Sequence, residues 1–355
     1  MGSPVFINGV IMVTLDVVDD LGPIRIVDQC RPDTSTLLPL EKYDVIIVCS
    51  SGGKDSLAAG LHLLDLGVPR HKIEWWHQLV DGPGSRGLMD WPVTEDYCRK
   101  VAQAFDIPIY YQWRVGGFER EMLRDNQETA PVQFEMPGGK LGQAGGKSGK
   151  FGTRLKFPQV SANLMVRWCS PSLKIDVCSI AINNDPRFKK AKVLVITGER
   201  RQESSARSKY ATIERHRTTN KRRRSDQYRI VLEWSEKQVW DIIRRHKVNP
   251  HPAYRLGWGR VSCMCCIFGD HNQWASIRDL SQDRLGKVMH YESKFGLTIK
   301  PGQDVFTQSV LGKSFVKDAP EELRRLALSK VYDAPVFLED WLLPKGAYRR
   351  CGGPT

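Results

Sequence analysis

No apolar run in this chain reaches the roughly 20 residues that a membrane-spanning helix needs, and the N-terminus lacks a basic segment followed by an apolar core. The expectation is a protein without a membrane anchor or secretory signal, working in the cytoplasm. A disulfide framework is missing as well. The nine cysteines are odd in number and unevenly spaced over 355 residues, which suits a reducing compartment with thiols free for metal or chemistry. Acidic residues are short relative to basic ones, 40 against 53, giving a formal net charge of +13. The excess is concentrated. From Arg187 to Arg224 there are fourteen Lys and Arg against Glu199, Glu203 and Glu214 alone. Such a field attracts polyanions, whether nucleotides, sulfate esters or nucleic acid. No internal repeat is found.

The length allows a sizeable core in one large domain or two modest ones. Residues 5 to 27 hold short β-prone runs, Val5-Phe6-Ile7, Ile11-Met12-Val13 and Ile24 to Val27, broken at Asp19-Asp20 and Leu21-Gly22-Pro23. They read as a small N-terminal β addition, followed by a linker from Pro32 to Pro39. The pattern then changes. Tyr43 to Val48 is a nearly continuous apolar run, the mark of a buried parallel strand. A helix follows over about Asp55 to Leu66, then a strand over Ile73 to Leu79, a helix over Thr94 to Phe105, a strand over Ile107 to Trp113 and a later one over Val193 to Thr197. Strand and helix in alternation imply an α/β fold with a doubly wound, mostly parallel sheet. Met136 to Gly152, rich in Gly and Lys, is either a lid near an anion or a plain flexible insertion. Ser235 caps a helix reaching His246, and the chain beyond Gly269 reads mostly helical. The division expected is 1–39 for the N-terminal extension and linker, 40–270 for the α/β domain and 271–355 for a helical region and tail.

The first strand runs into Cys49-Ser50-Ser51-Gly52-Gly53-Lys54-Asp55-Ser56 and then a helix. A phosphate belongs there. Gly52 and Gly53 let backbone amides approach closely, and the helix N-terminus adds about half a positive charge. Ser50, Ser51 and Ser56 offer hydroxyls and Lys54 a cation. Asp55 suits phosphate accompanied by Mg²⁺. The spacing is not that of a Walker loop. It resembles the Ser-Gly-Gly-x-Asp-Ser signature of the PP-loop, or adenine nucleotide α-hydrolase, superfamily. A Gly/Ser turn that merely links strand to helix is the alternative.

Further segments narrow the resemblance to phosphoadenosine-phosphosulfate (PAPS) reductases and their relatives, in order, over about residues 43 to 270. They are Arg167-Trp168-Cys169-Ser170-Pro171-Ser172-Leu173-Lys174, then Thr197-Gly198-Glu199-Arg200-Arg201-Gln202-Glu203-Ser204-Ser205-Ala206-Arg207, then Trp234-Ser235 with Val239-Trp240, then His251-Pro252-Ala253-Tyr254, then Cys263-Met264-Cys265-Cys266. The resemblance implies a HUP/PP-loop-type fold, with Gly198 and Arg200 near the nucleotide and Arg200 and Arg207 on the nucleotide or a substrate oxyanion. Ser170 reads as an N-cap with Pro171 as first helical residue, which places Cys169 just outside a helix start, where a thiolate is stabilised.

In iron–sulfur members of that family a cysteine pair near position 169 joins a Cys-x-x-Cys motif to hold a [4Fe–4S] cluster. Here Trp168 replaces the first cysteine of the pair. Cys169, Cys263 and Cys266 remain, with Cys265 or Cys178 as fourth ligand and Cys265 preferred. Zinc and inert buried thiols are the alternatives.

Family reductases carry a degenerate phosphate loop and end in a Glu-Cys-Gly-Leu-His tail. This loop is complete, and the tail here is Arg349-Arg350-Cys351-Gly352-Gly353-Pro354, with Cys351 either a nucleophile or an incidental thiol. The resemblance therefore implies an ATP pyrophosphatase, releasing AMP and pyrophosphate, that adenylylates an acceptor for sulfur transfer. It is similar in motif to DNA phosphorothioation sulfurtransferases. ATP with Mg²⁺ is the expected cofactor, DNA or tRNA a candidate acceptor, and a sulfur-donor protein a candidate partner. Two alternatives stand beside this reading: a thioredoxin-dependent PAPS reductase, and a non-catalytic nucleotide- or nucleic-acid-binding protein, to which Arg222-Arg223-Arg224 would contribute.

Overall fold

In a computed structural model, residues 37–84, 87–146, 149, 151–261 and 263–349 are described, together with the backbone of an N-terminal hairpin. Its strands, β1 (Val5–Ile7) and β2 (Val10–Met12), pair antiparallel. The run Ile24 to Val27, most of the 32–39 linker and Cys351 lie outside the described residues.

The apolar run after the linker becomes β3 (Val45–Cys49), the middle of an eight-stranded sheet. The chain continues through α1 (Lys54–Asp65), β4 (Ile73–Gln78), α2 (Thr94–Ala104), β5 (Ile109–Arg114) and α3 (Gly117–Met122). It then forms β6 (Val132–Met136), β7 (Lys140–Ala144), α4 (Asp176–Asn184), β8 (Lys192–Ile196), α5 (Ser205–Ser208), β9 (Ile213–Arg215) and β10 (Arg224–Tyr228). The strand order is β7-β6-β5-β4-β3-β8-β10-β9. The five central strands are parallel, while β6, β7 and β9 run antiparallel at the edges. This is the mostly parallel α/β sheet that strand–helix alternation implies. The segment read as a lid or flexible insertion is in part the regular β6–β7 hairpin at the sheet edge.

Period-2 alternation on β3 sorts the two faces. Val45 and Ile47 point to a cluster with α4, through Val177, Ala181 and Ile182. Ile46 and Val48 point to a larger cluster with α1 and with α6 (Glu236–Arg245), through Leu57, Leu61, Val239 and Ile243. α6 begins where its sequence says it should. Ser235 Oγ accepts the Gln238 amide while the Gln238 side chain accepts the Ser235 amide, a reciprocal cap.

The C-terminal region is helical, with α7 (Pro252–Leu256), α8 (His271–Leu280), α9 (Gln282–Phe295), α10 (Val305–Leu311) and α11 (Glu321–Leu328). Trp274, Ile277, Val288, Val305 and Leu326 from these helices join the same buried cluster as Ile46 and Leu57. Among the described residues no helix is long and apolar enough to cross a membrane.

Candidate nucleotide site

The chain leaves β3 toward β4 and β5 on one side, and β8 and β10 lie on the other. The carboxyl ends of β3 and β8 therefore flank a topological switch point, where open α/β sheets bind ligands. The loop after β3 and the loop after β8 meet there. Gly198 shows how closely. A Cβ at this position would stand 2.7 Å from both the Asp55 carbonyl carbon and the Ser56 nitrogen.

The phosphate loop is tied down by its own hydroxyls. Ser56 Oγ accepts the Ser51 amide at 3.2 Å and donates to the Gly53 carbonyl at 3.0 Å. Ser51 Oγ lies 3.3 Å from Ser56 Oγ. Ser50 is anchored to β4 by its amide on the Trp76 carbonyl, and its own carbonyl accepts from His77 Nδ1 at 2.8 Å. Gly52 has φ of +74°, and a Cβ there would sit 3.1 Å from the Thr94 methyl and 3.2 Å from Cys98 Sγ. Only glycine meets both demands without strain.

Beneath Gly52, His251 accepts the Ala253 amide on Nδ1 and so donates Nε2–H to Thr94 Oγ1, at 3.0 Å. Burial drives its pKa down to about 3, and that of His77 to about 4. Both rings are neutral supports and not proton carriers near pH 7.

Three charged groups converge at the helix start. Arg200 Nε donates to Asp55 Oδ1 at 2.5 Å, and Lys54 Nζ lies 3.4 Å from Asp55 Oδ2 and 3.6 Å from Glu236. Lys54 and Arg200 are 5% and 4% exposed, so neither is a solvated surface charge. Burial pushes the Asp55 pKa up, but Lys54 and Arg200 outweigh it and hold the carboxyl below its usual range. Burial likewise opposes the charge on Lys54, but Asp55, Tyr254 and Glu236 raise its pKa. All three groups are charged at neutral pH.

Ser50, Ser51, Gly52, Gly53, Lys54, Asp55, Ser56, Gly198 and Arg200 are thus brought to one place. Arg207 does not reach the loop. It pairs with Glu203, whose carboxylate also accepts the Arg200 amide at 2.8 Å. Asp55 is an ionised carboxylate, as a magnesium ligand must be, but each of its oxygens already faces a cation. Tyr254 is the partner that sequence reading left without a role. Its hydroxyl accepts the Lys54 amide at 2.8 Å and the Val261 amide at 3.3 Å, capping the helix start. Glu236 was also missed, because nothing local marks a helix-start acid as facing a lysine 182 positions earlier. Two clefts of about 370 and 300 Å³ lie elsewhere and include none of these residues.

The thiol region departs from expectation in three ways. Ser170 is not an N-cap. It is already helical, with φ of −69° and ψ of −53°, and makes no side-chain cap bond. The helix starts at Cys169 and widens to a π turn over Pro171–Ile175 before α4. Lys174, Ser170 and Arg167 favour the Cys169 thiolate but are outweighed. Burial first, and then Cys266, push its pKa up to about 11.

Cys265 does not share the other thiols' common neighbour. Lys174 lies in the field of Cys263, Cys169 and Cys266 together with Asp90, whereas Cys265 is fully buried within the fields of Arg284, Asp81 and Cys266. Cys178 packs behind the sheet against Cys49. Among the described residues no group of three or more His, Cys, Asp or Glu is arranged to hold a metal ion. The set Cys169, Cys263, Cys265 and Cys266 does not fit a four-thiolate cluster as it stands.

Part of the basic stretch is paired with acids, although most of its side chains stay exposed. Arg187 pairs with Asp185 and Glu74, Arg201 with Glu233, Arg215 and Arg224 with Asp226, and Arg217 with Asp176. Arg223 is 3% exposed and donates to the carbonyls of Thr218 and Ile182. Of the triplet Arg222-Arg223-Arg224, Arg222 alone is exposed.

A 37.8 kDa uncharacterized protein in the gpa 5′ region of Escherichia phage 186 is 26% identical over 276 residues, covering 74% of this chain and 79% of that protein. Residues 163–268 match the phosphoadenosine phosphosulfate reductase domain. That stretch runs from the Arg167–Lys174 segment through Arg200 and Tyr254 to Cys266. Over residues 163–268 the chain is therefore similar to a PAPS reductase domain, whose family lies within the PP-loop superfamily.

Proposed function

We propose that this chain is a PP-loop ATP pyrophosphatase that adenylylates an acceptor for sulfur transfer. The observation that carries the reading is the complete loop at the β3–α1 junction with Lys54 and Arg200 buried at its mouth. A bound triphosphate places several negative charges at a helix N-terminus, where amides and cations are already fixed and need no reorganisation. Lys54 and Arg200 would exchange part of their hold on Asp55 for phosphate oxygens. Tyr254, which now takes the Lys54 amide, would release it.

The acceptor's oxygen attacks the α-phosphorus, pyrophosphate leaves, and a sulfur nucleophile then displaces AMP. Lys54 and the amides of Gly52 and Gly53 stabilise the charge that develops on the leaving group. Magnesium, arriving with ATP, would supply further neutralisation of the phosphates, with Asp55 as a ligand once Arg200 turns to the nucleotide. No step is assigned to a cluster. The seven described cysteines are all free thiols, in keeping with the cytoplasm.

The test is product analysis of the pure protein with Mg²⁺ and ATP, alone and with DNA or tRNA. AMP and pyrophosphate, lost in Lys54→Ala, support the reading. ADP, or no turnover under every condition, overturns it. The matched domain favours a second reading, reduction of PAPS with thioredoxin, which predicts PAPS turnover abolished by Cys351→Ser.

A further inference from the structure

Lys54 is held from outside the phosphate loop as well as within it. Its Nζ donates to the Gly259 carbonyl at 3.1 Å and lies 3.6 Å from Glu236 Oε1, and its amide donates to the Tyr254 hydroxyl at 2.8 Å. Segment 344–349 grips the chain at or beside all three partners. The Gly346 amide donates to the Tyr254 carbonyl at 2.8 Å. Arg349 Nη1 donates at 3.0 Å to the carbonyl of Gly257, two residues before Gly259, and its guanidinium carbon stands 4.2 Å from the Phe315 ring centre. Lys345 Nζ donates to the Phe315 carbonyl at 2.9 Å. The Tyr348 amide donates to Glu236 Oε1 at 3.2 Å.

The backbone of the segment makes much of this fit. Gly346 approaches Trp258 so closely that a Cβ would stand 2.0 Å from the Trp258 carbonyl oxygen. Tyr348 has φ of +59°, a left-handed conformation that residues with a side chain seldom adopt. Its ring is half exposed, so ring burial is not what the conformation secures. It places the amide on Glu236.

Glu236 Oε1 is fixed as a result. It accepts Trp240 Nε1–H at 3.3 Å as well as the Tyr348 amide, and so faces Lys54 in one orientation. A carboxylate free to turn in water would hold a cation only weakly.

We infer that Glu236 is a positioning residue for Lys54, and that segment 344–349 is the strap that sets it. The role rests on the ATP-cleaving reading. Once the phosphates engage Arg200 and Asp55 turns to magnesium, Glu236 is the acid that keeps the Lys54 ammonium aimed at the departing pyrophosphate, with no reorganisation during the reaction.

Three variants of the full chain separate charge, strap and side chain. Glu236→Gln keeps an acceptor oxygen for Trp240 and Tyr348 but removes the charge. Tyr348→Pro removes the donor amide and cannot take a positive φ, whereas Tyr348→Gly keeps the amide and takes that φ freely. In ATP turnover, Glu236→Gln and Tyr348→Pro should each lose about tenfold in kcat with KM for ATP within about twofold, while Tyr348→Gly matches wild type. Acetylation of Lys54 by N-hydroxysuccinimidyl acetate, read by mass spectrometry, needs no turnover. It should run about tenfold faster in Glu236→Gln and Tyr348→Pro and at the wild-type rate in Tyr348→Gly. Cys178, buried on the opposite face of the sheet, reports folding by staying unreactive to a maleimide. If Tyr348→Pro exposes it, Glu236→Gln, which deletes no backbone donor, carries the test. Wild-type labelling of Lys54 in a folded Tyr348→Pro overturns the strap, and a raised KM at unchanged kcat in Glu236→Gln overturns the positioning role. Wild-type protein that makes no AMP from ATP would instead sink the ATP-cleaving reading, while Lys54 labelling still decides the strap.

Discussion

Adding a single methyl group at Gly198 should damage both the fold and the nucleotide site. The Cβ of Gly198→Ala would stand 2.7 Å from the Asp55 carbonyl carbon and the Ser56 nitrogen, and 2.8 Å from the Asp55 carbonyl oxygen. All three atoms are backbone, in the first turn of α1. Ordinary contact begins near 3.4 Å, so the β8 loop and the start of α1 must part by about 0.7 Å. Overpacking of this kind costs about 1–3 kcal/mol of stability. The displaced atoms are the ones that position Asp55 and the loop amides, and a misplacement of about 1 Å at a reacting site can cost about 100-fold in rate. Urea unfolding should show a lower midpoint with unchanged slope, and ATP turnover should fall by roughly one to two orders of magnitude. Gly60→Ala is the comparison. Its Cβ would meet the Trp75 side chain at 3.0 Å or more, away from the loop, so it should lose stability with far less loss of turnover. A Gly198→Ala protein with normal stability and normal turnover would refute the contact argument.

Asp55→Asn leaves Lys54 and Arg200 buried without their shared anion and should cost about 3 kcal/mol, read by thermal or urea unfolding. The Asp55 pKa is depressed in the folded state. Its contribution is present above the unfolded carboxylate value of about 3.9 and lost as pH falls through the folded value, so the wild-type advantage over Asp55→Asn should shrink in that acid window. His251 acts in a higher range. With its folded pKa near 3 and an unfolded value of about 6.5, the unfolded chain takes up a proton that the native chain refuses. Stability should drop as pH falls from about 6.5 toward 3, and His251→Gln should lower the slope by about 1.4 kcal/mol per pH unit in pH-dependent urea melts. Arg223→Ala should destabilise the protein while Arg222→Ala leaves its melting temperature unchanged, because only the former donates to buried carbonyls. Metal analysis of purified Cys265→Ala should match wild type, since Lys174 lies in the field of Cys169, Cys263 and Cys266 and not of Cys265.

The fold was legible because its signals are local. A short, β-branched apolar run such as Val45–Val48 fits a strand buried on both faces, and Ser235 with Gln238 marks a helix start through a hydrogen-bond pattern spanning four residues. Loop identity was legible for the same reason. Glycines at 52 and 53, hydroxyls at 51 and 56 and a helix behind them define an anion site within eight residues.

Side-chain direction was not legible in this way. Ser170-Pro171 has the composition of a helix cap, yet packing of Trp168 against Phe118 and under Arg154 carries the helix back to Cys169. Cys265 is next to Cys266 in the chain, but it is fully buried while Cys266 is only half-buried. The basic run from Arg187 to Arg224 looked like one positive surface. The acids that neutralise much of it, Glu74, Asp176, Asp185, Asp226 and Glu233, lie outside the run, and the fold brings them in.

By itself, then, the sequence determined the α/β sheet, the place of the phosphate loop and the set of residue types around it, because backbone sterics and hydrophobic periodicity act over a few residues. Tertiary structure alone decided that Arg200 and not Arg207 reaches Asp55, that Tyr254 caps the helix start, and that Arg167 is left with unpaired donors. Those pairings join residues up to 200 positions apart, and only the parallel pairing of β3 with β8 and the packing of α7 against the loop bring them within hydrogen-bonding distance.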